Sequence, residues 1–196
     1  MRILTVADVP SRFYYDFYTP GRLDDFDLIL AAGDLGRDYL EFLVTMARCP
    51  LVYVRGNHDD GFSARPPEGC ICAEDSVIDC AGLRILGLGG AHRYREGENL
   101  FTEAQMRRRI HRVQSRVRRR GGIDILLTHA PARGLNDFDS LSHRGFECFL
   151  NLLDEWRPKY FVHGHIHKNY GMNIPQRSVY GDTTVINACE HCVIEE

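Results

Sequence analysis

The stretch Asp27-Leu28-Ile29-Leu30-Ala31-Ala32-Gly33-Asp34 decides how the rest of the chain reads. Its unbroken apolar run is too short for an ordinary helix and fits a strand buried on both faces. The run ends in Gly33-Asp34, which places a carboxylate at the strand's carboxyl end. The same grammar recurs along the chain. Ile3 to Ala7 ends at Asp8, and Leu51 to Val54 runs into Gly56-Asn57-His58-Asp59. Ile123 to Thr128 is followed by His129, and Tyr160 to His163 by Gly164-His165-Ile166-His167. In open α/β sheets the ligand crevice lies beyond the carboxyl ends of the strands, so these polar groups can converge on one point.

Further strands are expected at Ser76 to Asp79, Leu83 to Leu88, Ser178 to Tyr180 and Thr184 to Asn187. The first two turn at Ala81-Gly82 and the last two at Gly181-Asp182, as antiparallel hairpins. Cys70-Ile71-Cys72 reads as one more short strand. Three helices are expected. One covers Asp38 to Arg48 and stops before Pro50. The second starts at the capping box Thr102-Glu103-Ala104-Gln105, carries Met106, Ile110, Val113 and Val117 at helical spacing, and ends near Arg120 at Gly121-Gly122. The third covers His143 to Trp156, ahead of Pro158. Strands, helices and late hairpins together give an α/β fold of two packed sheets with helices outside.

The 196 residues fit a single domain, 1–196, with 44% hydrophobic and 26% charged residues. No stretch approaches the roughly 20 apolar residues that span a bilayer, and Asp8 interrupts the N-terminus before a signal-peptide core can form. A cytoplasmic location without membrane attachment is expected. Seven cysteines, an odd number, read as reduced thiols. The alternative, a zinc knuckle from Cys70/Cys72 and Cys189/Cys192, is less favoured because both pairs sit beside apolar runs.

The net charge of −3 does not argue for nucleic acid. The second helix nevertheless carries Arg107, Arg108, Arg109, Arg112, Arg116, Arg118, Arg119 and Arg120. Such a face can grip a polyanion. The preferred reading is a solvated helix whose arginines pair with acidic residues elsewhere, since no aromatic residues alternate with the charges.

Carboxylates and imidazoles gathered in one crevice need a cation to offset their repulsion and desolvation. An oxygen and nitrogen donor set without thiolate suits Mn²⁺, Fe or Zn²⁺ better than Ca²⁺. Each block alone is a weak signal: a strand-end Asp is usually a turn, and a lone His-x-His is common. Their combination and order are specific.

The blocks Gly33-Asp34, Gly56-Asn57-His58-Asp59, His129 and Gly164-His165-Ile166-His167, after Asp8, resemble the calcineurin-like metallophosphoesterase superfamily over nearly the whole chain. That resemblance implies a four-layer α/β/β/α sandwich of two mixed sheets flanked by helices. It implies two divalent cations, with Mn²⁺ the leading choice. The first would be held by Asp8, Asp34 and His167, the second by Asp34, Asn57, His129 and His165, with Asp34 bridging. His58 would be the catalytic acid and Asp59 its orienting partner. The implied reaction is hydrolysis of a small phosphate mono- or diester by in-line attack of a metal-bound hydroxide.

The chain departs from the family at Pro10, where a histidine is usual. The first metal therefore lacks one ligand. Water, weak binding or another side chain are the alternatives, with Asp16, His92 and Asp182 as polar candidates. A catalytically weak scaffold that keeps the fold is the rival reading. Gly87 to Arg95 is either a glycine-rich turn or a phosphate-binding loop, with Arg93 and Arg95 as candidate substrate contacts. Ala130 to Gly134 is expected at the pocket rim.

Overall fold

A computed structural model describes residues 1–167 and 174–195. In chain order its elements are β1 (Arg2–Val6), β2 (Leu28–Ala31), α1 (Arg37–Met46), β3 (Leu51–Tyr53), β4 (Ile71–Cys72), β5 (Ser76–Cys80) and β6 (Leu83–Leu88). Then come β7 (Ala91–His92), β8 (Leu100–Phe101), α2 (Glu103–Arg119), β9 (Ile125–Thr128), α3 (Glu147–Trp156), β10 (Tyr160–His163), β11 (Arg177–Tyr180), β12 (Thr183–Asn187) and β13 (Cys192–Glu195).

Two mixed sheets dominate. The first has the order β13-β1-β2-β3-β4, the second β11-β12-β10-β9-β6-β5. In the first, β1 to β4 run parallel and β13 is antiparallel to β1. In the second, β12, β10, β9 and β6 run parallel, and β11 and β5 are antiparallel edges.

Side-chain alternation explains the layering. Leu28 and Leu30 point toward the second sheet and meet Ile85, Ile125, Leu127 and Val162. Ile29 and Ala31 point the other way and pack with Tyr39, Leu40 and Leu43 of α1 and with Leu23 and Phe26 of the preceding loop. On the far side, Leu126 and Phe161 meet Met106, Val113 and Val117 of α2 and Phe149 and Leu153 of α3. These three apolar seams make the four layers, helix on sheet on sheet on helix. Each fully buried leucine or phenylalanine contributes roughly 1.5–3 kcal/mol through removal from water.

Local chemistry sets the boundaries. The capping box at α2 forms in both directions: the Gln105 backbone N–H donates to the Thr102 hydroxyl, and the Thr102 N–H donates to the Gln105 side chain. The β5–β6 turn places Ala81 at φ 50° and Gly82 at φ 78°, a left-handed pair that suits a two-residue hairpin. The expected third helix starts four residues late, at Glu147. Residues 143–146 are held instead in a loop, where Phe146 is extended and bridges Ala132. Three strands lie beyond the expected set: β13, on the apolar Cys-Val-Ile run, and the two-residue β7 and β8.

The cysteine pairs lie at opposite edges of the first sheet, Cys72 in β4 and Cys192 in β13, so they do not share a zinc site. All seven cysteines are free thiols. Five of the eight arginines of α2 and its C-terminal turn are paired with acidic side chains: Arg107 with Glu103, Arg109 with Glu74 and Asp75, Arg112 with Asp75, Arg118 with Glu155, Arg120 with Asp79. No described helix is long and apolar enough to cross a membrane.

Candidate metal centre

The carboxyl ends of β1, β2, β3, β9 and β10 meet in one crevice. Backbone hydrogen bonds pull the strand-end turns together: Asp8 N–H donates to Gly33 C=O, and Gly164 N–H donates to His129 C=O. Asp8, Asp34 and His165 adopt left-handed φ of 63°, 56° and 68°. Non-glycine residues there cost about 1–2 kcal/mol each. The sharp turns end each strand and swing the side chains into the crevice. A Cβ at Gly56 would lie 2.0 Å from Asp34 Oδ1, so only glycine lets that carboxylate come this close.

At the centre sits His129, fully buried. Its Nδ1 lies 2.7 Å from the Ala32 carbonyl, an acceptor, so Nδ1 carries the proton and Nε2 presents a lone pair. Around that Nε2 lie Asn57 Oδ1 at 3.0 Å, His165 Nδ1 at 3.1 Å and Asp34 Oδ2 at 3.3 Å. His165 is fixed the same way. Its Nε2 lies 2.6 Å from the Ser142 carbonyl, which leaves Nδ1 as the lone pair facing His129. Four acceptor atoms thus point into one small volume. One proton cannot satisfy them all; a cation can. Asp34, His129 and His165 also offer donor atoms within 4.8 Å of one another. The residues fit a divalent metal.

Electrostatics point the same way. Burial pushes the Asp8 carboxyl up to about 7, against the lowering effect of His129 and the His165 N–H, with Asp34 and Asp59 adding repulsion. Burial likewise lifts Asp59 to about 6. Asp34 is also opposed by burial, yet the charge and hydrogen bond that His129 supplies once protonated, with the His58 N–H, hold it below the usual carboxylate range. Burial favours neutral His129, but Asp34 raises its affinity for positive charge. His165 is pushed down to about 3, first by burial and then by His129. Three carboxylates and a proton-hungry imidazole in a dry site describe a place built for positive charge.

The remaining expected residues surround this core. Both Asp8 oxygens accept from the His165 N–H, at 2.9 and 3.0 Å. His167 Nε2 lies 4.0 Å from Asp8 Oδ1. His58 donates its backbone N–H to Asp34 Oδ1 at 2.7 Å, and its ring stands 66% exposed with Nε2 4.0 Å from Asp34 Oδ2. Asp59 faces the backbone rather than His58. Its Oδ2 accepts from Gly56 N–H at 2.7 Å and Asp34 N–H at 2.8 Å, tying two strand-end turns together.

None of the three candidates to replace the missing histidine reaches Asp8 through a described contact. Asp16 pairs with Arg12, Asp182 pairs with Arg157, and His92 stacks on Phe146. Gly87 to Arg95 runs from the end of β6 through Gly89-Gly90 into β7, and a Cβ at Gly89 would strike Glu74 and Arg55. Arg93 bonds the Leu100 carbonyl and Arg95 stacks on Tyr94. The Ala130–Gly134 loop leads to Arg133, clamped by Asp137 and Asp139.

Sequence reading missed the carbonyls of Ala32 and Ser142, which fix the two imidazole tautomers; a backbone acceptor leaves no mark in sequence. It also missed His143, whose ring lies 5.5 Å from that of His165, and the buried His163, whose Nε2 meets the Asn136 amide at 3.1 Å.

A family model described as calcineurin-like phosphoesterase matches residues 1–169. Two UPF0046 proteins of Caenorhabditis elegans are similar. One is 27% identical, covering 81% of this chain and 64% of its own length. The other is 31% identical, covering 69% of this chain and 33% of its own length. The chain thus spans less than two thirds of either relative. Among solved structures, one crystal structure superposes with a TM-score of 0.72 at 12% identity, covering 98% of this chain and 94% of the other. TT1561 of Thermus thermophilus gives 0.62 at 13% identity, covering 96% and 89%. At such identities these two speak for the fold alone.

Proposed function

Because this chain belongs to the calcineurin-like phosphoesterase family, we propose that it hydrolyses small phosphate esters, mono- or diesters, with two divalent cations, Mn²⁺ first among them. The observation that carries this reading is the meeting of His129 Nε2, His165 Nδ1, Asn57 Oδ1 and Asp34 Oδ2. Asp34, Asn57, His129 and His165 would hold one cation; Asp8, Asp34 and His167 would hold the other.

When bound, the cations would polarise the phosphoryl group and lower the pKa of a water nucleophile. The chain's own residues supply the rest. Ala32 and Ser142 hold the two imidazoles with lone pairs inward. Asp59 fixes the turns that carry Asp34 and Asn57. His58, exposed at the rim beside Asp34, would meet substrate and give a proton to the leaving oxygen. Free thiols throughout fit a reducing compartment, and we place the protein in the cytoplasm.

The test is a hydrolysis screen of nucleotide, cyclic-nucleotide and lipid-headgroup esters with Mn²⁺ supplied. Turnover that disappears on chelation and returns with metal supports the reading. Metal-loaded protein that turns over none of them favours a scaffold that has kept the fold. Pro10, exposed and without a side-chain donor, is the observation behind that second reading.

A further inference from the structure

A cavity of about 840 Å³ lies away from the four converging ligand atoms, between α2 and a wall formed by Arg55, Glu98, Asn99 and Phe101. Arg55, Asn99, Phe101, Arg108, Arg109 and Arg112 form much of its wall. Arginines outnumber carboxylates five to two along the lining, with Asp75 and Glu98 the acidic pair, although the whole chain is negative. Arg109 is committed to Glu74, Asp75 and the Gly89 carbonyl. Arg108 and Arg112 are exposed on the helix; Arg112 reaches Asp75 only at 3.6 Å, and Arg108 makes no ion pair among the described residues. Arg55 lies opposite. Its Nε is buried with no hydrogen-bond partner, and its Nη1 reaches Glu98 only at 3.7 Å. That Nε has no exposed surface, so an anion would meet Arg55 through the terminal nitrogens of its guanidinium, whose side chain is 23% exposed.

We propose that this cavity is a second anion site, which takes a ligand carrying two or more linked phosphates. Guanidinium groups bind phosphate by paired, charge-assisted hydrogen bonds, and the volume lies in the range of ligand sites, room for more than one phosphate. Arg109 stacks 4.2 Å over Phe101, completing an aromatic wall beside the cations. Arg55 directly precedes Gly56-Asn57-His58, so an anion held there abuts the candidate metal-binding loop without using its ligands. The site stands whether or not the chain hydrolyses esters.

The experiment is calorimetric titration of the full chain with methylenediphosphonate, whose P–C–P bridge resists hydrolysis, in excess Mg²⁺. Saturable binding that weakens with salt is expected, with affinity at least about tenfold lower in the Arg108→Ala/Arg112→Ala variant. An Arg118→Ala/Arg119→Ala control, on the far half of the helix, should bind as wild type, and Asp34→Ala should keep the binding that depends on Arg108 and Arg112. Tighter binding of a methylene-bridged adenosine triphosphate would identify the ligand as a nucleotide; equal binding would identify a bare oligophosphate. Binding lost in Asp34→Ala but kept in the Arg108→Ala/Arg112→Ala variant would overturn the proposal, since the ligand then sits at the metal centre. Binding of a single-stranded oligonucleotide but not the diphosphonate would also overturn it.

Discussion

His129 Nε2 and His165 Nδ1 face each other at 3.1 Å, and each ring is locked into that pose by a backbone carbonyl on its other nitrogen. Two neutral imidazoles in this arrangement repel through their lone pairs. The contact is stable only with a proton or a metal between them, and Asp34 and Asn57 favour the metal by adding two more acceptors.

Divalent cation should therefore stabilise the fold, and more so as pH rises. The sign follows from the carboxylates. Asp8 is raised to about 7 and Asp59 to about 6, both above their unfolded value of 3.8. Between the unfolded and folded values the metal-free native state holds more protons than the unfolded chain, so its stability falls as pH rises through that window. Below about 7 a cation must also expel those protons to bind. The Mn²⁺-induced rise in Tm should be larger at about pH 7.5 than at about pH 5.5. Equal rises at both values would remove Asp8 from the site.

Asp34→Ala should harm catalysis more than Asn57→Ala. Asp34 Oδ2 faces His129 while Oδ1 accepts the His58 N–H, so its loss disturbs both proposed cations and the catalytic loop. Metal content and kcat for the two variants, measured side by side, decide this. Retention of both metals and near-normal rate in Asp34→Ala would show that Asp34 does not bridge.

His58→Ala should keep its metal and lose on the order of 10²–10⁴-fold in rate. The ring is exposed and the backbone N–H that touches Asp34 survives the substitution. The loss should shrink for nitrophenyl esters, whose leaving group hardly needs a proton. Equal losses for good and poor leaving groups would argue that His58 positions the phosphoryl group instead.

Arg109 offers a test of the fold that is separate from catalysis. Its side chain is 5% exposed and ties α2 to Glu74, Asp75 and the Gly89 carbonyl. Arg109→Leu leaves Glu74, itself only 11% exposed, without its charge partner and with the Arg55 N–H as its remaining hydrogen bond, and should cost roughly 3 kcal/mol in denaturant unfolding. A double variant with Glu74→Gln should recover part of that. Failure to recover would assign the loss to packing against Phe101.

What was legible in the sequence follows from period and punctuation. Strands such as Leu28–Ala31 are buried on both faces and bounded by Gly33, so composition alone marks them. The α2 boundaries were legible because Thr102 and Gln105 spell a capping box. The start of α3 was not, since no polar cap marks it; the extended Phe146 and its bridge to Ala132 set it through tertiary contact. At the site, the residue types could be named because each sits at a strand end. The resemblance implies Asp59 as a partner of His58, its neighbour in sequence, yet the turn directs its carboxylate to the Gly56 and Asp34 amides. Adjacency in sequence says nothing about which way a tight turn aims a side chain.

That lesson bears most on Pro10. An extended chain would put residue 10 on the same side as Asp8. The chain is not extended there: Asp8 has φ 63°, and the Val9 N–H folds back to the Ala7 carbonyl at 2.6 Å. Reach toward the first cation must therefore come from side-chain length. Position 10 is exposed, so a histidine meets no packing penalty, and proline already excludes any backbone hydrogen bond from its nitrogen. Pro10→His should then lower the Mn²⁺ concentration for half-maximal activity on the order of tenfold, comparable with the effect of other groups that tune metal affinity. Maximal rate need not change, since water can occupy the open position in the wild type. Metal analysis and an Mn²⁺ titration of both proteins check this. If the wild type already retains two tightly held cations and the variant titrates identically, a residue other than Asp16, His92 or Asp182 completes the first site, and Pro10 is a neutral replacement.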